Sequence, residues 1–279
     1  MINTTAAANT TPDYVLGHSE RELARLKAQA LLIDPVTRRF FKEAGVVAGM
    51  RVLDVGSGAG DVAFLAADLV GATGVVVGVD RSVGALEEAR KRAVERSAHN
   101  VTFRVGDPAE LDFEQPFDAV IGRYVLQFQN EPAAMLRKLK DRVRPGGLIV
   151  FHEIDWGGVG SFPPVPTFDR CGRWGAETLR RHGTESRMGA RLHATFQGAG
   201  LPPPTMRLEA LLGGGPKAAG VVSLVTGVIE TLLPEMERLG VATSTEVAID
   251  TLIERIIKEA VATDSIVIGH NQIAAWSRA

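Results

Sequence analysis

The chain has 279 residues, a formal net charge of −2, 45% hydrophobic and 23% charged residues. This length is enough to bury a full core, and the composition is ordinary for a globular protein. The charge gives no electrostatic reason to expect a nucleic acid or an anionic membrane as partner. A single cysteine, Cys171, excludes an internal disulfide and a multi-cysteine metal site. No stretch approaches the roughly 20 apolar residues of a membrane span, so we expect a soluble protein. From the single cysteine we expect a cytoplasmic protein without a metal.

The chain begins with a segment that precedes the first predicted strand. Residues 1–11 are small and polar, and residues 1–17 are expected to form a flexible leader. Residues 18–48 are expected to form a helical cover. A capping box beginning at Ser19 predicts the start of one helix, and Asp34-Pro35 predicts the start of a second. We expect both helices to pack over the functional site.

Residues 49–279 predict one α/β domain. Apolar strands are predicted at 51–55, 74–79, 101–105, 117–121 and 148–154, with helices between them. Continuous apolar strands that alternate with helices favour a parallel sheet covered on both faces. Helical lid insertions are expected at about 155–200 and 213–264. A last strand at 265–277 closes the domain.

Residues 51–65, RVLDVGSGAGDVAFL, join an apolar strand to a helix through three glycines. Glycines let the backbone approach a ligand closely, and the first free N–H groups of the helix point at it. The spacing Gly56-x-Gly58-x-Gly60 differs from the G-x-G-x-x-G of dinucleotide enzymes. Asp54, two residues before the first glycine, further distinguishes this turn.

Two more acids follow at the ends of the next strands. Asp80 lies where an acid accepts hydrogen bonds from ribose hydroxyls, although it is also placed to cap the following helix. Asp107, after Gly106, is placed to take an adenine amino group or to act as a turn residue. The sequence therefore predicts a nucleoside-containing ligand at the carboxyl edge of the sheet.

Five ordered motifs in residues 49–154 resemble the class I S-adenosylmethionine-dependent methyltransferases. They are VLDVGSGAG, VVGVDRS, VGDPAEL, FDAVIGRYVLQF and VRPGGLIVFHE. The resemblance implies a doubly wound, Rossmann-like, mostly parallel sheet of seven strands with an antiparallel last strand. It also implies S-adenosyl-L-methionine as the cofactor.

The resemblance assigns residues of this chain to parts of that cofactor. Gly56, Ser57 and Gly58 are expected to line the methionine part, and Arg123 to contact its end. Asp80 and Arg81 are assigned to the ribose, and Asp107 with Pro108 to the adenine. Asp54 and Gly106 are also expected to bind the cofactor. Tyr14 resembles the tyrosine that closes over the cofactor in a small-molecule branch of the family. Each assignment has a structural alternative: a helix cap, a turn residue, an ion-paired or exposed side chain, or a side chain that fills the core.

The acceptor side carries two candidate residues. Methyl transfer chiefly needs the nucleophile held close and aligned, so a general base is optional. His152, at the carboxyl end of the last predicted parallel strand, is the base candidate because its ordinary pKa lies near neutrality. The alternative is a buried histidine satisfied by a backbone carbonyl. Trp156 is either an aromatic wall for the substrate or an anchor for its loop.

Motifs that the sequence lacks narrow the function. Gly122-Arg123-Tyr124-Val125 stands where nucleic-acid amino-methyltransferases carry Asn/Asp-Pro-Pro-Tyr. The sequence shows no carboxylate cluster with metal spacing, so magnesium-dependent transfer is not expected. We expect methyl transfer to O, N or C of a small-molecule substrate by a monomer or homodimer. Two alternatives stay open: a nicotinamide-dependent Rossmann reductase, and a methyltransferase-like protein that binds the cofactor without methyl transfer.

Overall fold

The computed structural model describes residues 20–279, with side chains from residue 30 onward. Within this range the helices are α1 (Glu20–Ala44), α2 (Asp61–Val70), α3 (Val83–Glu95), α4 (Pro132–Lys140), α5 (Pro166–His182), α6 (Met188–Gly198), α7 (Ala219–Arg238), α8 (Ser244–Val247) and α9 (Ile249–Ala262). The strands are β1 (Arg51–Val55), β2 (Val75–Asp80), β3 (Val101–Val105), β4 (Phe117–Arg123), β5 (Val143–Asp155), β6 (Gly160–Phe162), β7 (Thr205–Glu209), β8 (Leu212–Gly214), β9 (Ile266–Ile268) and β10 (Asn271–Arg278).

Seven strands form the main sheet in the order β3-β2-β1-β4-β5-β10-β7. The first five are parallel, and β10 is antiparallel to both of its neighbours. The predicted doubly wound, mostly parallel sheet with an antiparallel last strand is therefore confirmed. Because β1 lies between β2 and β4, the strand order reverses there, and the crevice at such a switch point is where open α/β sheets bind ligands.

Helices cover both faces of this sheet. Apolar side chains of α1, α2 and α3 form one buried cluster on it, and those of α4 and α6 form another. A third cluster joins α5, α7 and α9 beyond the end of β5. The first stretch expected as a lid insertion, 155–200, therefore has two parts with different packing. Its helix α5 joins the third cluster, whereas α6 packs on the sheet.

The prediction of two helices before the first strand is wrong, because the structure has one continuous helix, α1, with Pro35 inside it. Proline lacks the N–H that would bond the carbonyl four residues earlier. That carbonyl belongs to Leu31, whose residue is 81% exposed, so water can satisfy it. Ile33 and Phe40, on either side of the proline, are fully buried. Their packing against the rest of the molecule holds the helix together across the break.

The segment after β5 also differs from the prediction. The predicted last strand is two strands, β9 and β10, and β9 joins β6 and β8 in a separate three-stranded sheet. The helix predicted near 245–261 is split into α8 and α9 by Ala248, which has a φ of 44°. The strands β6 and β8 are three residues long and lack the apolar runs from which the longer strands could be recognised.

One helical stretch in residues 20–279, Gly215–Arg238, is long and apolar enough to span a membrane by length and composition. Half of its most apolar window is buried inside the protein. The helix α7 within it contacts α1, α5 and α9. Core helices of globular proteins pack in this way.

Gly175 of α5 provides a test of this packing. A Cβ built at Gly175 would lie 2.4 Å from Cζ3 of Trp156, a buried ring that has no room to move aside. We expect Gly175→Ala to lower the free energy of unfolding by roughly 1–3 kcal/mol, as overpacking does. Gly84 of α3 is the matched control, because a Cβ there meets nothing within 4 Å. Urea unfolding followed by circular dichroism measures both, and equal stability of the two variants would contradict the described packing.

Candidate active site

The glycine turn after β1 is held tightly on one side and open on the other. The amides of Gly56 and Ser57 donate to the carbonyl of Val79, at 2.9 and 3.1 Å. A Cβ on Gly56, which has a φ of 65°, would lie 2.8 Å from a methyl group of Val125. A Cβ on Gly58 would meet nothing within 4 Å. The turn therefore presents its backbone at Gly58 to open space.

Asp80 fastens this turn to the start of α3. Its Oδ2 accepts a hydrogen bond from the amide of Gly58 at 2.9 Å, and its Oδ1 accepts one from the amide of Ser82 at 2.8 Å. The cap of α3 is the Ser82 hydroxyl, which accepts from the amide of Ala85. Because a carboxylate oxygen has two lone pairs, Asp80 can still accept from ribose hydroxyls.

Asp54 is a buried carboxylate without hydrogen-bond partners. Asp54 is 0% exposed, and neither of its carboxylate oxygens has a hydrogen-bond partner in the described part of the chain. Burial raises its pKa well above the usual range; nearby Asp80 and Asp61 raise it further, and Arg123 opposes them. The amide of Ala63 also lowers this pKa but does not reach hydrogen-bonding geometry. A buried acid without partners is costly, so this position favours a ligand that brings a positive charge or donors.

The hydroxyl of Ser57 adds to this unmet hydrogen-bonding capacity. Ser57 is buried, and its Oγ has no hydrogen-bond partner among residues 20–279. Two neighbouring side chains at the glycine turn thus lack partners. This arrangement fits a polar head group bound against the turn.

Arg81 and Asp107, assigned to the ribose and the adenine, form an ion pair between the ends of β2 and β3. The guanidinium of Arg81 donates to Oδ2 of Asp107 at 2.6 Å, and the amide of Ala109 donates to Oδ1 at 2.9 Å. Although burial raises the pKa of Asp107, these two donors hold it below its ordinary value. Gly106 is half-buried and Pro108 is buried beside them. Asp107 thus has the turn-stabilising role that the sequence left open. Each of its oxygens keeps a second lone pair that can accept a hydrogen bond from a ligand.

Arg123, at the end of β4, lies between the sheet and α1. Its side chain is 8% exposed. Its Nη1 donates to Oδ1 of Asp34 at 2.7 Å and to Oγ1 of Thr37 at 3.0 Å. The sequence left an ion-paired Arg123 open as an alternative, and the structure contains that pair.

His152 does not have the surroundings of a general base. It is fully buried, with Nδ1 3.1 Å from Oγ1 of Thr37 and Nε2 2.8 Å from Oε1 of Gln272. Burial, together with Arg123 and His270, lowers its pKa to about 3, even though the Gln272 hydrogen bond opposes this. A histidine with both nitrogens engaged and so little affinity for a proton is a structural group. These surroundings favour the structural alternative, with side-chain partners in place of the backbone carbonyl. The catalytic role of His152 stays a prediction.

Trp156 is a core residue and not the wall of an open pocket. It is 2% exposed, and its ring packs on Gly175 and edge-on to His270, with ring centroids 5.5 Å apart. Its indole Nε1 has no hydrogen-bond partner in the part of the chain that the structure describes. Its burial favours the alternative, an anchor for the loop after β5, and the substrate contact stays a prediction.

Glu153, which the sequence analysis did not single out, fixes the loop after β4. The residue is fully buried, and its Oε1 accepts hydrogen bonds from the amides of Val125 at 2.9 Å and Leu126 at 2.8 Å. Since Val125 is the residue that packs on Gly56, Glu153 also supports the glycine turn. Burial raises the pKa of Glu153 to about 8, although these amides act to lower it.

Two further points complete the site. Tyr14, expected to close over the cofactor, lies outside the described residues. In residues 20–279 no group of three or more His, Cys, Asp or Glu side chains is placed to hold a metal ion.

Comparison with known proteins shows what this fold and site are similar to. Residues 47–180 match the family described as "Methyltransferase domain". Aklanonic acid methyltransferase of Streptomyces sp. (strain C5) is 38% identical over 133 residues, which are 47% of this chain and 60% of that protein. Demethylmenaquinone methyltransferase of Staphylococcus saprophyticus is 34% identical over 135 residues, 48% of this chain and 54% of that protein. The chain thus spans little more than half the length of these curated relatives.

A solved structure extends the likeness of fold over most of the chain. The YcgJ protein of Bacillus subtilis superposes with a TM-score of 0.52 at 20% identity, covering 91% of this chain and 99% of that one. At this identity the likeness shows the fold alone. Together with the family match, it confirms the resemblance inferred from the motifs. Residues 47–180 of this chain are thus similar to a methyltransferase domain.

The raised pKa of Glu153 predicts how stability changes with pH. The unfolded chain releases this proton near pH 4.5, whereas the folded chain keeps it to about pH 8. The free energy of unfolding should therefore fall as the pH rises through that window. Glu153→Gln keeps an oxygen for the two amides but cannot ionise, so we expect it to remove roughly 3 kcal/mol of this decline.

Urea unfolding of the wild type and Glu153→Gln at pH 5, 6, 7 and 8 measures this difference. Glu87→Gln is the matched control, because Glu87 is an exposed residue of α3. The same fall of stability with pH in wild type and Glu153→Gln would contradict the burial of an ionisable Glu153.

Proposed function

We propose that the protein binds S-adenosyl-L-methionine at the glycine turn and transfers its methyl group to a small metabolite. The carboxylate of Asp54 carries this proposal, because it is buried beside the turn without a partner. The pyrophosphate of a nicotinamide dinucleotide would bring negative charge toward this acid. The amino-acid end of S-adenosylmethionine brings an ammonium group, which is the compensation that a buried carboxylate needs. This contrast, with the glycine spacing, disfavours the reductase alternative.

The surrounding residues fit the other parts of that cofactor. Ser57, three residues after Asp54, offers an unpaired hydroxyl, and Arg123 offers a guanidinium for the carboxylate of the amino-acid end. Asp80 keeps lone pairs for the two ribose hydroxyls. The ion pair of Arg81 with Asp107, beside Gly106 and Pro108, is assigned to the adenine side, and Tyr14 to the outer cover.

S-adenosylmethionine supplies a methyl group already activated on a sulfonium. The protein then has to align the acceptor and keep water out. The apolar third cluster of α5, α7 and α9 supplies such a cover at the carboxyl end of β5. With His152 buried and unsuited to act as a base, we favour an acceptor that presents a nucleophile needing none, such as an amine lone pair, an ionised hydroxyl or an enolate carbon.

The acceptor is proposed to be small and largely apolar. The names of the curated relatives point to aklanonic acid and demethylmenaquinone as their substrates. A net charge of −2 gives no basis for nucleic acid or an anionic membrane as partner. We further propose a cytoplasmic protein that acts as a monomer or homodimer.

Methyl transfer to a panel of quinols, phenols, amines and carbon acids, followed by mass spectrometry, tests the activity. The expected result is a product heavier by one methyl group with at least one acceptor, formed only with S-adenosylmethionine. Tight cofactor binding with no product from any acceptor class would favour the alternative of a methyltransferase-like protein that binds the cofactor without transfer.

Asp80→Ala tests the ribose assignment. We expect it to weaken the binding of S-adenosylhomocysteine by roughly 1–3 kcal/mol, because it removes a hydrogen-bond acceptor and releases the amide of Gly58. Isothermal titration calorimetry measures the affinity. Asp112→Ala is the control, because its side chain is fully exposed. Equal affinity of Asp80→Ala and the wild type would leave Asp80 with a structural role alone.

A further inference from the structure

Two residues of α1 hold the guanidinium of Arg123 from the same side. Asp34 and Thr37 are one helical turn apart and therefore lie on one face of the helix. Nη1 of Arg123 donates to Asp34 at 2.7 Å and to Thr37 at 3.0 Å. Both partners come from a helix that carries none of the methyltransferase motifs. The position of Arg123 at the end of β4 thus depends on a contact 89 residues away in the chain.

Asp34 and Thr37 bind only Nη1 of the guanidinium, so the edge formed by Nε and Nη2 has no hydrogen-bond partner among the described residues. The two hydrogens of Nη1 are both used, and all hydrogen bonds of Arg123 within the described residues are made by this one nitrogen. The N–H groups of Nε and Nη2 point along a different edge of the planar group. That edge has the geometry that binds a carboxylate through two parallel hydrogen bonds.

The available edge is close to the unpaired acid of the glycine turn. In the sheet, Val55 at the end of β1 pairs with Gly122, the residue before Arg123. Arg123 lies near enough to act electrostatically on Asp54. Asp54 pairs with Ile121, so Arg123, two residues further along β4, lies on the same face of the sheet as Asp54. An acid and a guanidinium on one face match a zwitterionic amino-acid group, whose carboxylate and ammonium are separated by one carbon.

Thr37 is itself fixed from the sheet side. Its hydroxyl is hydrogen-bonded to Nδ1 of His152 at 3.1 Å, and Nε2 of His152 is hydrogen-bonded to Gln272 at 2.8 Å. Gln272 also accepts from the hydroxyl of Tyr124. These buried side chains connect α1 to β5, β10 and the loop after β4. The buried His152 thus has a role in holding Thr37, and through it Arg123.

We propose that Asp34 and Thr37 are positioning residues that hold Nη1 of Arg123, so that its Nε–Nη2 edge faces the carboxylate of the cofactor's amino-acid end. This inference rests on the proposed function. It makes α1 part of the cofactor site without direct contact between Asp34 and the cofactor. By linkage, cofactor binding then stabilises the packing of α1 on the sheet.

Two ligands that differ only at the amino-acid end separate positioning from general packing. S-adenosylhomocysteine has the carboxylate and the ammonium, whereas 5′-methylthioadenosine has neither. We expect Asp34→Ala to weaken the binding of S-adenosylhomocysteine by about 10-fold and to leave the affinity for 5′-methylthioadenosine unchanged. Asp34→Asn keeps an oxygen for Nη1, so its affinity for S-adenosylhomocysteine should stay within about threefold of the wild type. Isothermal titration calorimetry of the full chain measures all of these affinities.

Asp68→Asn is the matched control, since it breaks a different ion pair of α1, between Arg38 and Asp68 at 2.9 Å, that does not involve Arg123. It should bind both ligands as the wild type does. The proposal would be overturned if Asp34→Ala bound S-adenosylhomocysteine as tightly as the wild type or more tightly. It would also be overturned if the variant lost affinity for both ligands equally and had a lower melting temperature. A wild type that binds neither ligand would instead reject the proposed function.

Discussion

The carboxylate of Asp54 is buried at the end of β1 with neither oxygen hydrogen-bonded to a described residue. It lies at the position where the strand order of the sheet reverses, immediately before the glycine turn. Such a charge destabilises the protein by itself, and it gains most from a ligand that brings a cation. The charge of this one residue distinguishes the site from the pyrophosphate-binding turns of dinucleotide enzymes, whose fold is similar.

The elements around Asp54 are fixed by backbone hydrogen bonds to other buried or half-buried acids. Asp80 fastens the turn and the start of α3, and Glu153 fastens the loop after β4 that packs on the turn. Arg123 is held in turn by α1. The glycine turn, the loop after β4 and the arginine are thus held in place by contacts within the chain. Such preorganisation reduces the entropy that ordering a site on binding would cost.

Much of the sheet and of the glycine turn could be predicted, because their signals are local. Apolar runs indicated the five parallel strands, and the spacing of Gly56, Gly58 and Gly60 indicated the turn. Roles that depend on distant partners could not be predicted. Gln272 lies 120 residues from His152, and no pattern in either segment reveals that they meet. Asp34-Pro35 predicts a helix start for the same reason: the local cap signal is strong, and only the packing of α1 overrides it.

The central claim is that the unpaired acid and the glycine turn form the site of S-adenosylmethionine. A crystal structure with S-adenosylhomocysteine tests it most directly. The account predicts the ammonium at Asp54, the carboxylate at Arg123 and the ribose hydroxyls at Asp80. A ligand bound elsewhere, or one bound at the turn with Asp54 still unpaired, would contradict it.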